Sequence, residues 1–202
     1  MQHIHNIRKK IGEYFLKIEL NRLNRKSLFK GFNLSNSIAV LFNASDKTEF
    51  ELVKKYIKYL RDSNKKVKCI GYFYEKEVPE MVYSKNEFDF FSKKDLNWHL
   101  KPMSPFVSSF IEEEYDILID FNLKNDFPLH YISSLSKAKF KIGNFTNDST
   151  LYDLMIEMED GKDLKYFMKN VDHYLLQLNV KSPTTVADSI ENSNKKNNSN
   201  KK

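Results

Sequence analysis

The stretch SIAVLFNASDKTEFELVKKYIKYLRDSNKKVKCIGYFY, residues 37–74, decides the fold. It opens with a nearly uninterrupted apolar run at 37–42, which is typical of a strand covered on both faces. A helix should follow, because apolar residues recur at helical steps with lysines between them: Phe50, Val53, Ile57 and Leu60. A second strand is predicted at 67–74. Strand, helix and strand form a βαβ unit, so the two strands should be parallel and their crossover right-handed.

The start of that helix can be read in two ways. Asp46 with Glu49, or Thr48 with Glu51, would each place a capping side chain three residues before an acid. Either pair can satisfy the free amides of the first helical turn. The sequence leaves both possibilities open.

The same alternation continues to residue 178. Further strands are predicted at 88–92, 115–121, 139–143 and 151–158, and further helices at 104–114, 127–138 and 163–178. Asp126 precedes the second of these helices as a possible cap. The last helix should turn one apolar side to the core, namely Leu164, Phe167, Met168, Val171, Tyr174, Leu175 and Leu178. This pattern predicts an α/β fold, a three-layer Rossmann-like sandwich with a mostly parallel sheet of about five strands.

An amphipathic helix is predicted ahead of this domain, over 4–29, with Gly31 as its stop. Its apolar side repeats every three or four residues: Ile4, Ile7, Ile11, Phe15 and Ile18. Leu16, Leu20 and Leu23 widen this stripe. We therefore divide the chain into a basic amphipathic helix at 1–30, a single α/β domain at 31–180 and a tail at 181–202. The tail is rich in Asn, Lys and Ser and is predicted to be disordered.

Positive charge is concentrated at the two ends of the chain. Residues 1–30 carry eight Lys and Arg against two Glu, and residues 181–202 carry five Lys against two acids. The remaining residues, 31–180, hold twenty Lys and Arg against twenty-three acids. Charge placed on appendages recruits anionic partners without shaping the fold. A single cysteine, Cys69, and a start without a secretion signal predict a cytoplasmic protein.

Candidate ligand residues follow two strands of the predicted sheet. Asn43, Ser45 and Asp46 come after the first strand, and Asp120 and Asn122 come after the strand at 115–121. Parallel strands bring their carboxyl ends to one edge, where ligands of such sheets bind. Asp120 could act as a general base, a metal ligand or a ribose contact, or it could cap the following turn.

Motifs for established chemistries are missing from the sequence. No glycine-rich phosphate loop follows a strand, the five histidines do not have metal-ligand spacing, and no serine lies in a nucleophile elbow. We therefore predict no catalytic residue, no metal and no cofactor.

Two surface features could bind a partner. Trp98 lies in a lysine-rich segment, where it could stack on a base, dock a partner or fill the edge of the sheet. The basic side of the N-terminal helix could contact RNA, lie on a membrane surface or simply face solvent. Its candidate contacts are Arg8, Lys9, Lys17, Arg22, Arg25 and Lys26.

Two resemblances add to these observations. The chain is similar to an uncharacterised family of Bacteroidota proteins, known only as a domain of unknown function, over about residues 37–180. Three segments carry this resemblance: residues 38–73, DFFSKKDLNW and FPLHYISSLSKAKFKIG. In addition, YDILIDFNLKNDFPLHYISSLSKAKFKIG, residues 115–143, resembles a strand–helix–strand stretch of heptosyltransferase-like glycosyltransferases. Lys139, Lys141, Ile142 and Gly143 fill the end of that pattern. The loop NASDKTEF lacks the glycine of those enzymes, and their second domain is not expected here.

The sequence thus favours a non-catalytic binding or scaffold module that attaches to an anionic partner, such as an RNA–protein assembly. One alternative is a degenerate lobe that binds a nucleotide or a nucleotide sugar, with Asp120 and Asn43 at its cleft. The other is an adaptor that lies on a membrane surface through residues 4–29.

Overall fold

The structure, a computed structural model, describes residues 2–79 and 88–178. Six parallel strands form one sheet within this part of the chain, in the order β3-β2-β1-β4-β5-β6. The strands are β1 (Ser37–Asn43), β2 (Lys66–Phe73), β3 (Asp89–Ser92), β4 (Ile117–Asp120), β5 (Phe140–Asn144) and β6 (Leu154–Ile156). The α/β prediction is confirmed, with six strands where about five were expected.

Helices cover both faces of this sheet. They are α1 (Gln2–Leu20), α2 (Lys47–Asp62), α3 (Pro105–Glu112), α4 (Phe127–Leu135) and α5 (Leu164–Leu178). The apolar side chains of α2 and α5 share one core cluster with the sheet, while those of α3 and α4 share the cluster on the opposite face. Along β1 every residue from Ile38 to Asn43 is buried, as its uninterrupted apolar run predicts. No described helix combines the length and apolarity needed to cross a membrane.

The N-terminal helix is shorter than predicted, because α1 ends at Leu20 and not near residue 29. From residue 21 the chain leaves the helix and crosses the amino-terminal edge of the sheet. There the Leu28 N–H donates to the Lys139 carbonyl oxygen at 2.9 Å, and the Arg25 guanidinium binds the Asp153 carboxylate. These distant contacts outweigh the local helical pattern. Gly31, expected to stop the helix, instead lies in the irregular segment before β1 with φ of 90°.

The two helix caps behave differently. The Asp46 carboxylate accepts from the amides of Thr48 and Glu49 at 2.9 and 3.0 Å, so Asp46 and not Thr48 caps α2. Asp126 occupies the cap position of α4, but its side chain makes no capping hydrogen bond. The predicted capping role of Asp126 is therefore wrong, and its carboxylate is engaged elsewhere.

On α5 the buried row is narrower than predicted. Leu164, Phe167, Met168, Val171 and Leu175 are buried, whereas Tyr174 and Leu178 are exposed. Tyr174 lies at the margin of the buried row, and Leu178 is the last residue of the helix. The predicted tail at 181–202 lies outside the described residues.

The strand order places a switch point beside β1. The chain moves outward from β1 through β2 to β3, and then returns to β4 on the other side of β1. Loops on opposite sides of this point leave the sheet in opposite directions, so a crevice opens at the carboxyl ends of β1 and β4. The candidate site lies at that edge.

Candidate functional site

Asn43, Asp120 and Asn122, predicted from separate strand ends, lie together at the switch point. All three are buried. Asn43 Nδ2 donates to Asp126 Oδ2 at 2.8 Å, and the Asn43 side-chain oxygen accepts from the Ser45 amide at 2.9 Å. The side chain of Asn43 thus links the loop after β1 to the start of α4.

Asn122 holds the backbone of Asp126 from both sides. Its side-chain oxygen accepts from the Asp126 amide at 2.8 Å, and its Nδ2 donates to the Asp126 carbonyl oxygen at 3.0 Å. Between them, Asn125 adopts a left-handed backbone with φ of 54°, which Asn tolerates better than most residues. Asn43 and Asn122 therefore fix the loop that carries Asp126, and their side-chain amides are hydrogen-bonded within the protein.

Asp120 points into the core and is 1% exposed. Its carboxylate accepts from the Tyr152 hydroxyl at 2.7 Å and from the Asn122 amide at 2.9 Å. Burial raises the pKa of Asp120 to about 6, although these hydrogen bonds oppose the shift. Gly143 leaves room for the Tyr152 ring, which a β-carbon at that position would meet. Asp120 thus anchors the core beneath the crevice.

Lys141 is the buried cation of the same region. Its Nζ donates to the carbonyl oxygens of Ser133 and Ser134 at 2.7 and 2.9 Å, in the last turn of α4. A cation at that end of a helix satisfies carbonyls that lack intrahelical partners. Burial nevertheless lowers the pKa of Lys141 to about 7, since the apolar surroundings disfavour the charged form.

Ser45 and Asp46 are occupied by local bonds. Asp46 is exposed and caps α2, and these backbone hydrogen bonds lower the pKa of its carboxyl. The Ser45 hydroxyl donates to Glu75 at 3.0 Å and accepts from the Tyr74 amide at 2.7 Å. A ligand-binding role for the five predicted cleft residues stays a prediction, and the structure gives each of them a partner within the protein.

An open cavity of about 440 Å³ lies beside this network, and we call it the switch-point cleft. Its walls come from α1, the carboxyl end of β2, the segment after β3 and the start of α4. The lining residues are His5, Arg8, Lys9, Tyr72, Tyr74, Lys93, Leu96, Leu100, Lys124, Asn125, Asp126, Phe127 and Pro128. The cleft thus occupies the edge at which parallel sheets bind ligands.

Positive charge predominates in the switch-point cleft. Four lining residues are Lys or Arg, from three separate parts of the chain: Arg8, Lys9, Lys93 and Lys124. Among the described residues, they face a single lining carboxylate, that of Asp126. Lys9 and Lys124 have loose acidic neighbours outside the lining, Glu13 at 3.9 Å and Glu49 at 3.4 Å. The four cations thus outnumber these three carboxylates, so the cleft keeps an excess of positive charge.

The Asp126 carboxylate is held by neutral donors within the cleft. It accepts from Asn43 Nδ2 and from the Tyr74 hydroxyl. Burial raises its pKa, while the hydrogen bond from Asn43 and the nearby Lys9 act in the opposite direction. Because the carboxylate is turned to these donors, the first-turn amides of α4 have no side-chain cap. Phe127, Pro128 and Leu129 are buried at this start and Pro128 has no N–H, so α4 contributes its dipole and not free amides to the cleft.

A larger hollow of about 510 Å³ under the end of α1 differs in its charge. Its lysines and acids neutralise each other, since Lys101 lies 2.8 Å from Glu19 and Lys137 pairs with Glu112. The switch-point cleft is the better candidate for binding an anion.

Comparison with models of protein families gave a match. The model of the family of unknown function DUF6913 matches residues 8–178. The chain belongs to this family. Searches of curated proteins and of solved structures returned no match.

Membership of DUF6913 confirms the predicted resemblance to an uncharacterised family. The match begins at residue 8, so it includes most of α1, whereas the sequence resemblance began at about residue 37. The Bacteroidota origin and the similarity to glycosyltransferases stay predictions. No activity accompanies the family.

In this member of DUF6913, the predicted partner contacts do not form one surface. Arg8 and Lys9 line the switch-point cleft, while Lys17, Arg22 and Lys26 are exposed elsewhere. Arg25 is bound inside the protein, because its guanidinium forks onto Asp153 at 2.8 and 3.0 Å. Arg25 therefore contributes to the fold, and its charge is already paired.

Trp98 is 59% exposed, so its indole does not fill the edge of the sheet. It lies in the segment after β3, which a short 3-10 helix at Lys93–Asp95 opens. That segment is fastened to α1, since Arg8 Nε donates to the Trp98 carbonyl oxygen at 2.6 Å. Contact with a base or a partner stays open for its side chain.

The aromatic and basic residues that complete the cleft were not identified from the sequence as ligand residues: Tyr72, Tyr74 and Lys93. Tyr72 lies near the end of β2, Tyr74 directly follows that strand, and Lys93 directly follows the edge strand β3. The docking of α1 over the start of α4 completes the cleft. The signal available in the sequence was the position of Tyr72 and Tyr74 at the carboxyl end of a strand next to β1.

Proposed function

We propose that the protein is a non-catalytic binding module that holds a phosphate-bearing ligand in the switch-point cleft. One observation carries the proposal. Arg8, Lys9, Lys93 and Lys124, from three separate parts of the chain, converge around the uncapped start of α4. Side chains so distant in sequence have no shared local reason to meet.

The chemistry of the cleft fits a phosphate group. Arginine and lysine bind phosphate oxygens through charge-assisted hydrogen bonds, and the amino terminus of a helix adds a favourable dipole. A phosphate can therefore contact Arg8, Lys9 and Lys124 while it approaches the start of α4.

The size and the aromatic wall of the cleft fit a nucleotide. Pockets for small ligands measure about 300–1,000 Å³, and this cavity of about 440 Å³ lies in that range. Tyr74 supplies an exposed aromatic ring beside the cations, with the buried Tyr72 behind it, and a nucleobase can stack on such a ring. Nucleotides are thus the first ligands to test.

An RNA strand could present the same phosphate chemistry from a larger molecule. Lys17, Arg22 and Lys26 are exposed and would extend the contacts of a strand beyond the cleft. Binding to RNA should then weaken steeply with salt. The logarithm of the binding constant should fall against the logarithm of the salt concentration with a slope of about −0.7 per neutralised phosphate. A free nucleotide makes fewer such contacts and should show a shallower salt dependence.

Isothermal titration calorimetry on the full chain tests the proposal with AMP, inorganic phosphate and a short single-stranded RNA. Lys124→Ala and Lys93→Ala should each weaken binding about tenfold, because a hydrogen bond to a charged group contributes about 1.5–3 kcal/mol. Both lysines are exposed, so their removal should leave the fold intact. Lys58→Ala is the matched control, since Lys58 is an exposed lysine on α2 outside the cleft lining.

Two results would contradict the proposal. One is the lack of binding of all three probes. The other is binding that Lys124→Ala and Lys93→Ala reduce no more than Lys58→Ala does. Binding of RNA without AMP, still sensitive to Lys124, would identify a nucleic acid as the source of the phosphate.

A further inference from the structure

The apolar side of α1 faces solvent and not the body of the protein. Ile4, Ile7 and Phe15 are 63%, 43% and 42% exposed, and Tyr14 is exposed beside them. The helix docks on the body through a different side, where Gly12 and Leu16 are buried. This side of the helix, which we call the outer stripe, consists of the exposed Ile4, Ile7, Tyr14 and Phe15 together with the half-buried Ile11 and Ile18.

Contacts with the body fix the orientation of α1. A β-carbon at Gly12 would meet the His99 carbonyl oxygen and the Phe127 ring, so the two surfaces touch closely there. Leu16 packs in a cluster with Phe127, Tyr131 and Leu135 of α4. These contacts prevent α1 from rotating to bury the outer stripe. The stripe therefore lies on the outside of the molecule.

Trp98 extends this exposed apolar surface. The Phe15 ring contacts the His99 imidazole at 4.8 Å between centroids, and Arg8 Nε binds the Trp98 carbonyl oxygen. These two contacts place the Trp98 segment against α1. Tryptophan and tyrosine favour the interface between membrane and water, because their rings are apolar with one polar end.

Unpaired cations border the outer stripe. Lys10 and Lys17 are exposed on the edge next to Tyr14 and form no ion pair with any other described residue. Lys10 lies one turn from Ile7 and from Tyr14, and Lys17 lies one turn from Tyr14. An apolar stripe with lysines at its edge fits a surface that is apolar inside and negatively charged at its rim.

We propose that the outer stripe docks on an anionic lipid surface, with α1 lying in the plane of the headgroups. The apolar side chains enter the boundary of the acyl chains, while Lys10 and Lys17 bind the lipid phosphates. A second copy of the chain is a poorer occupant, because it would bring the same lysines to the interface. The proposal does not depend on a ligand in the switch-point cleft.

The single tryptophan of the chain reports on this contact directly. The full chain is mixed with vesicles of phosphatidylcholine alone or with added phosphatidylserine, and both sedimentation and Trp98 fluorescence are followed. We expect binding with a blue shift of the fluorescence on the phosphatidylserine vesicles, and much weaker binding on phosphatidylcholine. Added salt should weaken the binding.

Substitutions in the stripe and at its edge test the two parts of the contact. Ile7→Asp should abolish binding, and Lys10→Glu and Lys17→Glu should each weaken it at least about fivefold. Leu34→Asp is the matched control, because Leu34 is as exposed as Ile4 but lies in the turn before β1. Lys124→Ala should bind vesicles like the wild type, which separates this surface from the cleft.

Several results would overturn the proposal. They are an unchanged Trp98 spectrum with phosphatidylserine vesicles, equal binding by Ile7→Asp and Leu34→Asp, and equal binding to both kinds of vesicle. A concentration-dependent dimer in sedimentation equilibrium that Ile7→Asp dissociates, without vesicle binding, would assign the stripe to a second copy.

Discussion

At the scale of single residues, Asp120 and Lys141 have unusual surroundings for charged side chains. Both are buried, and Asp120 accepts from Tyr152 and Asn122 while Lys141 donates to two carbonyl oxygens of α4. The sequence showed Asp120 only as an acid at the end of a strand. Its burial depends on Tyr152, which reaches it from a segment 32 residues later. Only the folded chain brings the two together.

The raised pKa of Asp120 has a consequence for stability. The folded pKa is about 6, above the ordinary value of 3.8 for an aspartate, so folding favours the protonated carboxyl. The contribution of this carboxyl to stability is therefore fully present below 3.8 and is lost as the pH rises through about 6. Lys141 does not change in this window, because its folded pKa of about 7 leaves it protonated in both states.

We therefore expect the wild type to lose stability relative to Asp120→Asn between pH 4 and 6, by about 2 kcal/mol. Urea denaturation at a series of pH values measures the free energy of unfolding of both proteins. Asp62→Asn, at an exposed position on α2, is the control and should follow the wild type. Parallel profiles for the wild type and Asp120→Asn would contradict the predicted linkage.

At the scale of elements, α1 shows how docking can override an amphipathic pattern. The sequence selects the row from Ile4 to Ile18 as the apolar side, with Leu16 only widening it, but the buried residues are Gly12 and Leu16. The choice follows from close approach, since only a residue without a side chain fits against the His99 carbonyl and the Phe127 ring. Helical spacing reveals an apolar side but not what covers it.

Gly12→Ala separates helix propensity from close docking, because the two predict opposite changes in stability. Helix propensity alone would stabilise α1 by about 1 kcal/mol. The added methyl group would instead lie 2.7 Å from the Phe127 ring, and such overpacking costs about 1–3 kcal/mol. We expect a net loss of stability in urea denaturation, and faster amide exchange along α1. Lys10→Ala, at an exposed position on the same helix, should show neither effect. A more stable Gly12→Ala protein would contradict the close docking.

At the scale of the whole molecule, the central sheet was the most predictable part. A run such as residues 37–42 places apolar side chains on both faces of a strand, as is typical of a parallel strand that is covered on both faces. The same reasoning brought Asn43, Asp120 and Asn122 to one edge. The switch-point cleft was not predictable, because it needs α1 to dock on α4 and Lys93 to follow an edge strand. Such placements depend on contacts between residues far apart in the sequence.

Arg25 is an example of a residue whose role depends on a contact far away in the sequence. By sequence it belongs with the basic residues of the N-terminal segment, yet its guanidinium forks onto Asp153 at 2.8 and 3.0 Å, 128 residues away. The Asp153 carboxylate also accepts from the Lys141 amide at 2.8 Å, just ahead of β6. The ion pair thus ties the segment between α1 and β1 to the far side of the sheet, and it lowers the pKa of Asp153.

We expect Arg25→Met to destabilise the protein by about 3 kcal/mol, because removal of one partner leaves a largely buried carboxylate without its counter-ion. The loss should shrink as the pH falls through the lowered folded pKa of Asp153, where that carboxylate becomes neutral. Arg22→Met is the matched control, since Arg22 is exposed in the same segment and should lose little. Urea denaturation of both variants gives the comparison. Equal stability of the two variants would mean that Arg25 is not needed for the fold and is free to contact a partner.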